Sequence, residues 1–144
     1  MVVATGRHIS LQLDAETFER LAAQSRRAGQ VPSQLARTFL EEGLRMEAHP
    51  GIVFRSGPAG RRAGLAGGPD VWEVVRVYRG LDGQADAALQ QTANLTGLPP
   101  EAVRAAIAYY AEYPEEIDDW IRRLDATAAE AEAAWQRAQS PPER

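Results

Sequence analysis

The sequence predicts a mainly α protein in two parts. An N-terminal strand and helix pair is built to dimerise, and a small β-hairpin, a helix-turn-helix-like unit and a long terminal helix follow. Three observations carry this. His8-Ile9-Ser10-Leu11-Gln12-Leu13 alternates polar and apolar residues, the period of a strand with one buried face. Apolar residues then recur at helical spacing through Met46. Beyond residue 50, Gly and Pro cut the chain into short segments with strand or helix patterns.

Asp14 can cap a first helix, whose inner side takes Phe18, Leu21, Ala22 and Ser25. Gly29 can end it in a left-handed conformation, and Pro32 can open a second helix, where its missing N–H costs nothing. Leu35, Ala36, Phe39, Leu40 and Leu44 stripe that second helix. A lone strand satisfies neither its backbone nor its apolar face. About forty residues are also few for a secure core. Two copies pairing their strands antiparallel resolve both problems, with Ile9, Leu11, Leu13, Phe18, Leu21, Leu35 and Phe39 as the dimer core. The alternative is a strand that joins another sheet of its own chain.

The paired ribbon turns His8, Ser10 and Gln12 outward. A two-stranded ribbon fits the major groove of double-stranded DNA; Gln can pair with the N6/N7 edge of adenine, and Ser serves several bases. Arg7 and His8 can reach a base or a phosphate. The helix start around Pro32, Ser33 and Gln34 can clamp a phosphate. Over His8–Met46 the pattern resembles the ribbon-helix-helix family of dimeric DNA-binding regulators. That resemblance implies Ser10 and Gln12 as base readers, His8 at a position often basic, and Ser33 at the phosphate clamp. Val31 stands where such proteins often carry a Ser or Thr cap.

The chain has 144 residues, no Cys and no Lys, and a net charge of −4. Without Cys there is no disulfide framework, thiol nucleophile or thiolate metal site. No apolar run approaches a membrane span, and Met1–Arg7 lacks a signal-peptide pattern, so a cytoplasmic protein with no membrane partner is expected. The charge is uneven: +1 over residues 1–46, +2 over 47–80 and −7 over 81–144. The acidity therefore lies away from the ribbon, and nonspecific affinity for nucleic acid should be modest.

Taken in order, Val2–Arg7 reads as a loose arm and Glu47–Pro50 as a linker. It divides a DNA-binding and dimerisation domain, residues 7–46, from a second domain, residues 49–138. Gly51–Arg55 and Arg61–Leu65 read as a hairpin about a turn at Ser56–Gly60. His49 is a turn residue with no partner evident in sequence. The nearby glycines lack the Lys-Ser or Lys-Thr of a phosphate loop. Val71, Val74, Val75 and Tyr78 stripe a buried helix ended by Gly80. Asp82 is the expected cap of the next helix, which passes through Ala85, Ala88, Leu89 and Thr92 to a turn at Asn94–Gly97. Pro99 and Pro100 start another, with Val103, Ala106, Ile107 and Tyr110 inward. This pair resembles a helix-turn-helix, but it exposes Glu101 and Arg104, poor base readers, so a structural or partner-binding use is expected. Pro114 opens the terminal helix through Ile117, Trp120, Ile121 and Leu124, possible as far as Trp135, and Ser140–Arg144 is a frayed tail.

His49-Pro50-Gly51-Ile52, Arg61-Arg62, Val71-Trp72-Glu73-Val74-Val75, Leu95-Thr96, Pro100 through Ala106 and Ala108-Tyr109-Tyr110 resemble the DUF433 family, over about His49–Ile117. The resemblance implies a helix-turn-helix-like fold, often encoded beside a PIN-like nuclease toxin. That family usually carries Gly-Thr-Arg before the Val-Trp helix; here Gly67-Gly68-Pro69-Asp70 removes the arginine from the loop.

Glu115, Glu116, Asp118 and Asp119 crowd one helix start with no ligating His nearby, and a helix start attracts acids by its dipole alone. They read as a solvated face, and no enzyme activity, metal or cofactor is expected. Trp72 and Trp120 read as core residues. Glu115, Asp119 and Trp135 are the candidate contacts for a partner. The functional expectation is a dimeric repressor that binds an operator, with a PIN-like nuclease as toxin partner. The alternatives are a stand-alone transcriptional regulator and a protein-interaction module whose ribbon touches no DNA.

Overall fold

The first helix, α1, spans Ala15–Ala28, and both its ends are locally determined. The Asp14 carboxylate accepts from the Thr17 N–H at 2.7 Å, one of the donors that the start of a helix leaves open. Gly29 closes the other end at φ +65°. The second helix, α2, spans Pro32–Ala48. Its first turn hangs on the Val31 carbonyl, which accepts from the N–H groups of Gln34 and Leu35 at 3.1 and 3.2 Å.

A computed structural model of the protein describes residues 6–140. Residues 2–5 of the expected arm and 141–144 of the expected tail lie outside the described residues. The chain divides into two units, one through Gly43 and one from Leu44 onward. The linker expected at Glu47–Pro50 differs from this: α2 continues unbroken to Ala48, and Arg45 in its last turn bonds Tyr109 and Glu116 of the second unit.

In the first unit, residues 6–14 belong to no helix or strand of their own chain. The sheet of the described residues has two strands, both in the second unit, so the ribbon segment joins no intramolecular sheet. Leu35 and Ser25 are buried, and the Ser25 hydroxyl donates to the Leu21 carbonyl at 2.8 Å.

The second unit opens with strands β1 (Ile52–Gly57) and β2 (Gly60–Leu65), an antiparallel hairpin in which Arg55 directly faces Arg62. Helix α3 (Val71–Arg79) buries Val71, Val74 and Val75 completely. Burial against α4, α5, α6 and β2 overrides the weak helix preference of β-branched residues. Helices α4 (Ala85–Thr96), α5 (Pro100–Glu112) and α6 (Pro114–Gln139) follow. The core joins Ile52 and Leu65 of the hairpin to Val103, Ala106 and Tyr109 of α5 and Ile117 and Ile121 of α6. Mainly helical architecture with one hairpin and a long terminal helix, here of 26 residues, agrees with the expected fold class.

Three boundaries differ from expectation. Asp82 does not cap α4: Gly83 takes φ +115° and Gln84 stays extended, so the helix begins at Ala85. No turn forms at Asn94. The helix runs to Thr96, whose hydroxyl bonds the Thr92 carbonyl at 2.7 Å, and Gly97 at φ +70° stops it. Helix α6 continues past Trp135 to Gln139.

Candidate functional site

The residues expected to read DNA lie in the first unit. Arg7, His8, Ser10 and Gln12 are all exposed, as are Pro32, Ser33 and Gln34 at the start of α2. Among the described residues, no acceptor meets the Ser33 N–H. The alternate residues of the segment are exposed too: Ile9 by 71%, Leu11 by 65% and Leu13 by 41%. Of the other expected dimer-core residues, Phe18 and Phe39 are exposed, Leu21 is half-buried and Leu35 is buried. A single copy thus leaves a row of apolar side chains in water.

The second unit holds two polar clusters that the sequence did not reveal. One sits on the hairpin. Asp70, buried, accepts from Arg55 Nη1 at 3.0 Å, from Arg62 Nε, and from Trp72 Nε1 at 3.2 Å. Its backbone N–H donates to the Glu73 carboxylate at 2.8 Å, and its carbonyl accepts from the Glu73 N–H at 3.2 Å. Arg55 also bonds the carbonyls of Leu65 and Gly68. Arg55 thus ties β1 to the loop that precedes α3. Trp72, expected in the core, is only half-buried and carries this polar contact; Trp120 is buried as expected.

The other cluster joins the end of α2 to α5 and α6. Arg45 Nη1 donates to the Tyr109 hydroxyl at 2.9 Å and to Glu116 Oε1 at 3.0 Å, and Tyr109 donates to Glu116 Oε2 at 2.7 Å. The Arg45 guanidinium lies 3.9 Å above the Tyr113 ring. Burial, and then the bond to the Glu116 carboxylate, push the Tyr109 hydroxyl pKa up. His49 does have a partner, contrary to expectation: its Nε2 is hydrogen-bonded to Glu112, and its ring meets Tyr109 and Tyr113 edge-on at 5.4 and 6.0 Å between centroids. The bond to His49 is the main cause that lowers the Glu112 pKa.

The acidic start of α6 is only partly a solvated face. Glu116 belongs to the aromatic cluster, and Asp118 accepts from Arg79 at 2.7 Å and Tyr110 at 2.8 Å. Asp119 pairs with Arg122 at 2.6 Å. Glu115 and Asp119 line one open depression of about 430 Å³ with Glu116, Asp118 and Arg122. Trp135 is 64% exposed, but the helical rise puts it roughly 24 Å along α6 from Asp119. The three candidate partner contacts are therefore not one site. Glu101 and Arg104 face outward on α5.

Among the described residues, no group of three or more His, Asp or Glu is placed to hold a metal ion. No described helix is long and apolar enough to cross a membrane. No family model, no curated protein and no solved structure matches the chain.

Proposed function

We propose that this chain is a dimeric DNA-binding repressor of the ribbon-helix-helix kind. It reads an operator with His8, Ser10 and Gln12 and holds phosphates with Arg7 and the Ser33 end of α2. The observation that carries this reading is the exposure of Ile9, Leu11 and Leu13, on a segment that pairs with no strand of its own chain. A second copy supplies both the missing strand and the missing cover, and the same pairing sets the alternate residues toward solvent. The second domain, with its acidic terminal helix and exposed Trp135, serves as the contact for a PIN-like nuclease, which makes the protein an antitoxin. An acidic helix suits the phosphate-binding cleft of such an enzyme.

The net charge of −4 favours a second reading, in which the ribbon only cements a dimer. Binding to DNA from upstream of the protein's own gene separates the two. On the repressor reading, Ser10→Ala and Gln12→Ala remain dimers by sedimentation and lose sequence preference in gel-shift assays. If both keep the wild-type preference, or the wild type shows none, the ribbon does not read bases. Co-purification with the neighbouring gene product tests the antitoxin role, and a stand-alone regulator would bring down no nuclease.

A further inference from the structure

Arg55 and Arg62 face each other directly across the hairpin, an arrangement that repels unless a counter-charge intervenes. Asp70 supplies one negative charge to the two guanidinium groups, so the trio keeps a net charge of +1. Glycine makes the room. A Cβ on Gly57 would stand 2.0 Å from Arg62 Nη1, and one on Gly64 would stand 2.8 Å from the Arg55 guanidinium. Both groups therefore lie close against the strands. Their remaining donors differ. Arg55 spends its terminal nitrogens on Asp70 and on the Leu65 and Gly68 carbonyls. Arg62 is fixed through Nε alone, and among the described residues no acceptor meets its Nη1 or Nη2. Its side chain is 27% exposed. The result is a planar fork, anchored at one nitrogen and open at two, that an oxyanion can meet without first ordering the side chain.

We infer that Arg62 is a phosphate-binding residue, buttressed by Asp70, whose ligand is a backbone phosphate of bound nucleic acid. A single fork of this charge holds an isolated anion weakly, so it serves a polyanion that is already held elsewhere. In this respect the inference rests on the repressor reading. Arg62 is on the second domain and contributes affinity without sequence preference.

The test measures duplex affinity against salt for the wild type, Arg62→Gln, Arg62→Lys and Gln12→Ala, with thermal unfolding as the check on folding. Arg62→Gln should weaken every duplex by the same factor and lower the slope of log affinity against log salt by about 1.8, the share of the two phosphates that the two Arg62 side chains of a dimer hold. Arg62→Lys, which keeps the charge without the fork, should retain the slope and lose part of the affinity. Gln12→Ala should change preference and leave the slope alone. An unchanged slope in a folded Arg62→Gln protein overturns the inference. A second arm titrates inorganic phosphate and follows the Arg62 Nε–H and Trp72 indole resonances, which should move in the wild type and stay still in Arg62→Gln. If no duplex binds, the repressor reading fails and this arm alone decides. A shift keeps the fork with free phosphate as its ligand, and no shift removes it.

Discussion

The two units solve the problem of burial differently. The second closes on itself: Val71, Val74, Val75, Val103, Ala106 and Tyr109 are fully buried, and among the described residues each buried side-chain nitrogen or oxygen has a partner. The first buries Leu35 and little else that is large, while Ile9, Leu11, Phe18, Phe39 and Leu40 stay in water. On the proposed reading these residues belong to an interface rather than to the ordinary scatter of surface residues. The difference sets a unit with a filled core against one whose large apolar residues are mostly exposed, and on the proposed reading the second copy supplies what the latter lacks. It also sorts the expected consequences of mutation.

The largest effect is expected from Leu11→Asp. By two-fold symmetry it removes two apolar side chains from a dimer and adds two charges, a loss of about 3–6 kcal/mol from burial alone. Sedimentation should find a monomer, and circular dichroism should lose the helical signal of the first unit while that of the second persists. A dimer that survives Leu11→Asp would mean that this segment is not the interface. Tyr109→Phe should act only on the second unit. It removes the donor to Glu116 Oε2, on a side chain that water can reach, and should cost about 0.5–1.5 kcal/mol by denaturant unfolding. The wild-type tyrosine adds an alkaline limb. Because its folded pKa is raised, its contribution is present below the ordinary value of 10.0 and is lost as pH rises through the folded one. The phenylalanine variant should lack that limb.

The two glycines that end α1 and α4 give a matched pair. Gly29 and Gly97 take φ +65° and +70°, and at neither would a Cβ meet another atom within 4 Å. Alanine at either position therefore strains only the backbone, by roughly 1–2 kcal/mol. The expected difference lies in concentration dependence. The Gly29→Ala midpoint should rise with protein concentration, as for a unit that folds on dimerising, and the Gly97→Ala midpoint should not. Equal behaviour would mean that the first unit is stable alone.

What the sequence made legible follows the range of the interactions. Helices α3 and α5 were readable because Val71–Tyr78 and Val103–Tyr110 carry the helical period and Gly80 and Pro100 mark an end and a start. The start of α4 was misread because Asp82 is a good cap residue by type, while the positive φ of Gly83 carries the chain past it. The clusters were invisible for another reason. Arg45 meets Glu116 across 71 residues and His49 meets Glu112 across 63, distances over which local pattern is silent. The Arg55–Asp70–Arg62 group was closer to view. Once the hairpin register was drawn, two arginines had to face each other, and the only acid in the following loop is Asp70. Its glycines mark that loop as a turn and give no sign of the charge that Asp70 carries into it.

The smallest effects are expected in acid, where each unit has one exposed carboxylate with a lowered pKa. Asp14 is held below its ordinary 3.8 chiefly by the Thr17 N–H, and Glu112 below its ordinary 4.5 chiefly by His49. A carboxylate with a depressed folded pKa stabilises above its unfolded value and loses that contribution as pH falls through the folded one. Both contributions should therefore be complete at neutral pH and fade below the ordinary carboxylate range. Glu112→Gln should lower the midpoint of the second unit at pH 7 and match the wild type in strong acid, whatever the protein concentration. Asp14→Ala should do the same to the first unit and, on the proposed dimer reading, should also raise the dissociation constant at neutral pH, because the lost cap holds the start of α1. Carboxyl resonances followed by NMR give the two titrations directly. If Glu112 titrates at its ordinary value in the wild type and in His49→Gln alike, the aromatic cluster does not hold that carboxylate, and the second unit is less tightly determined than its buried core suggests.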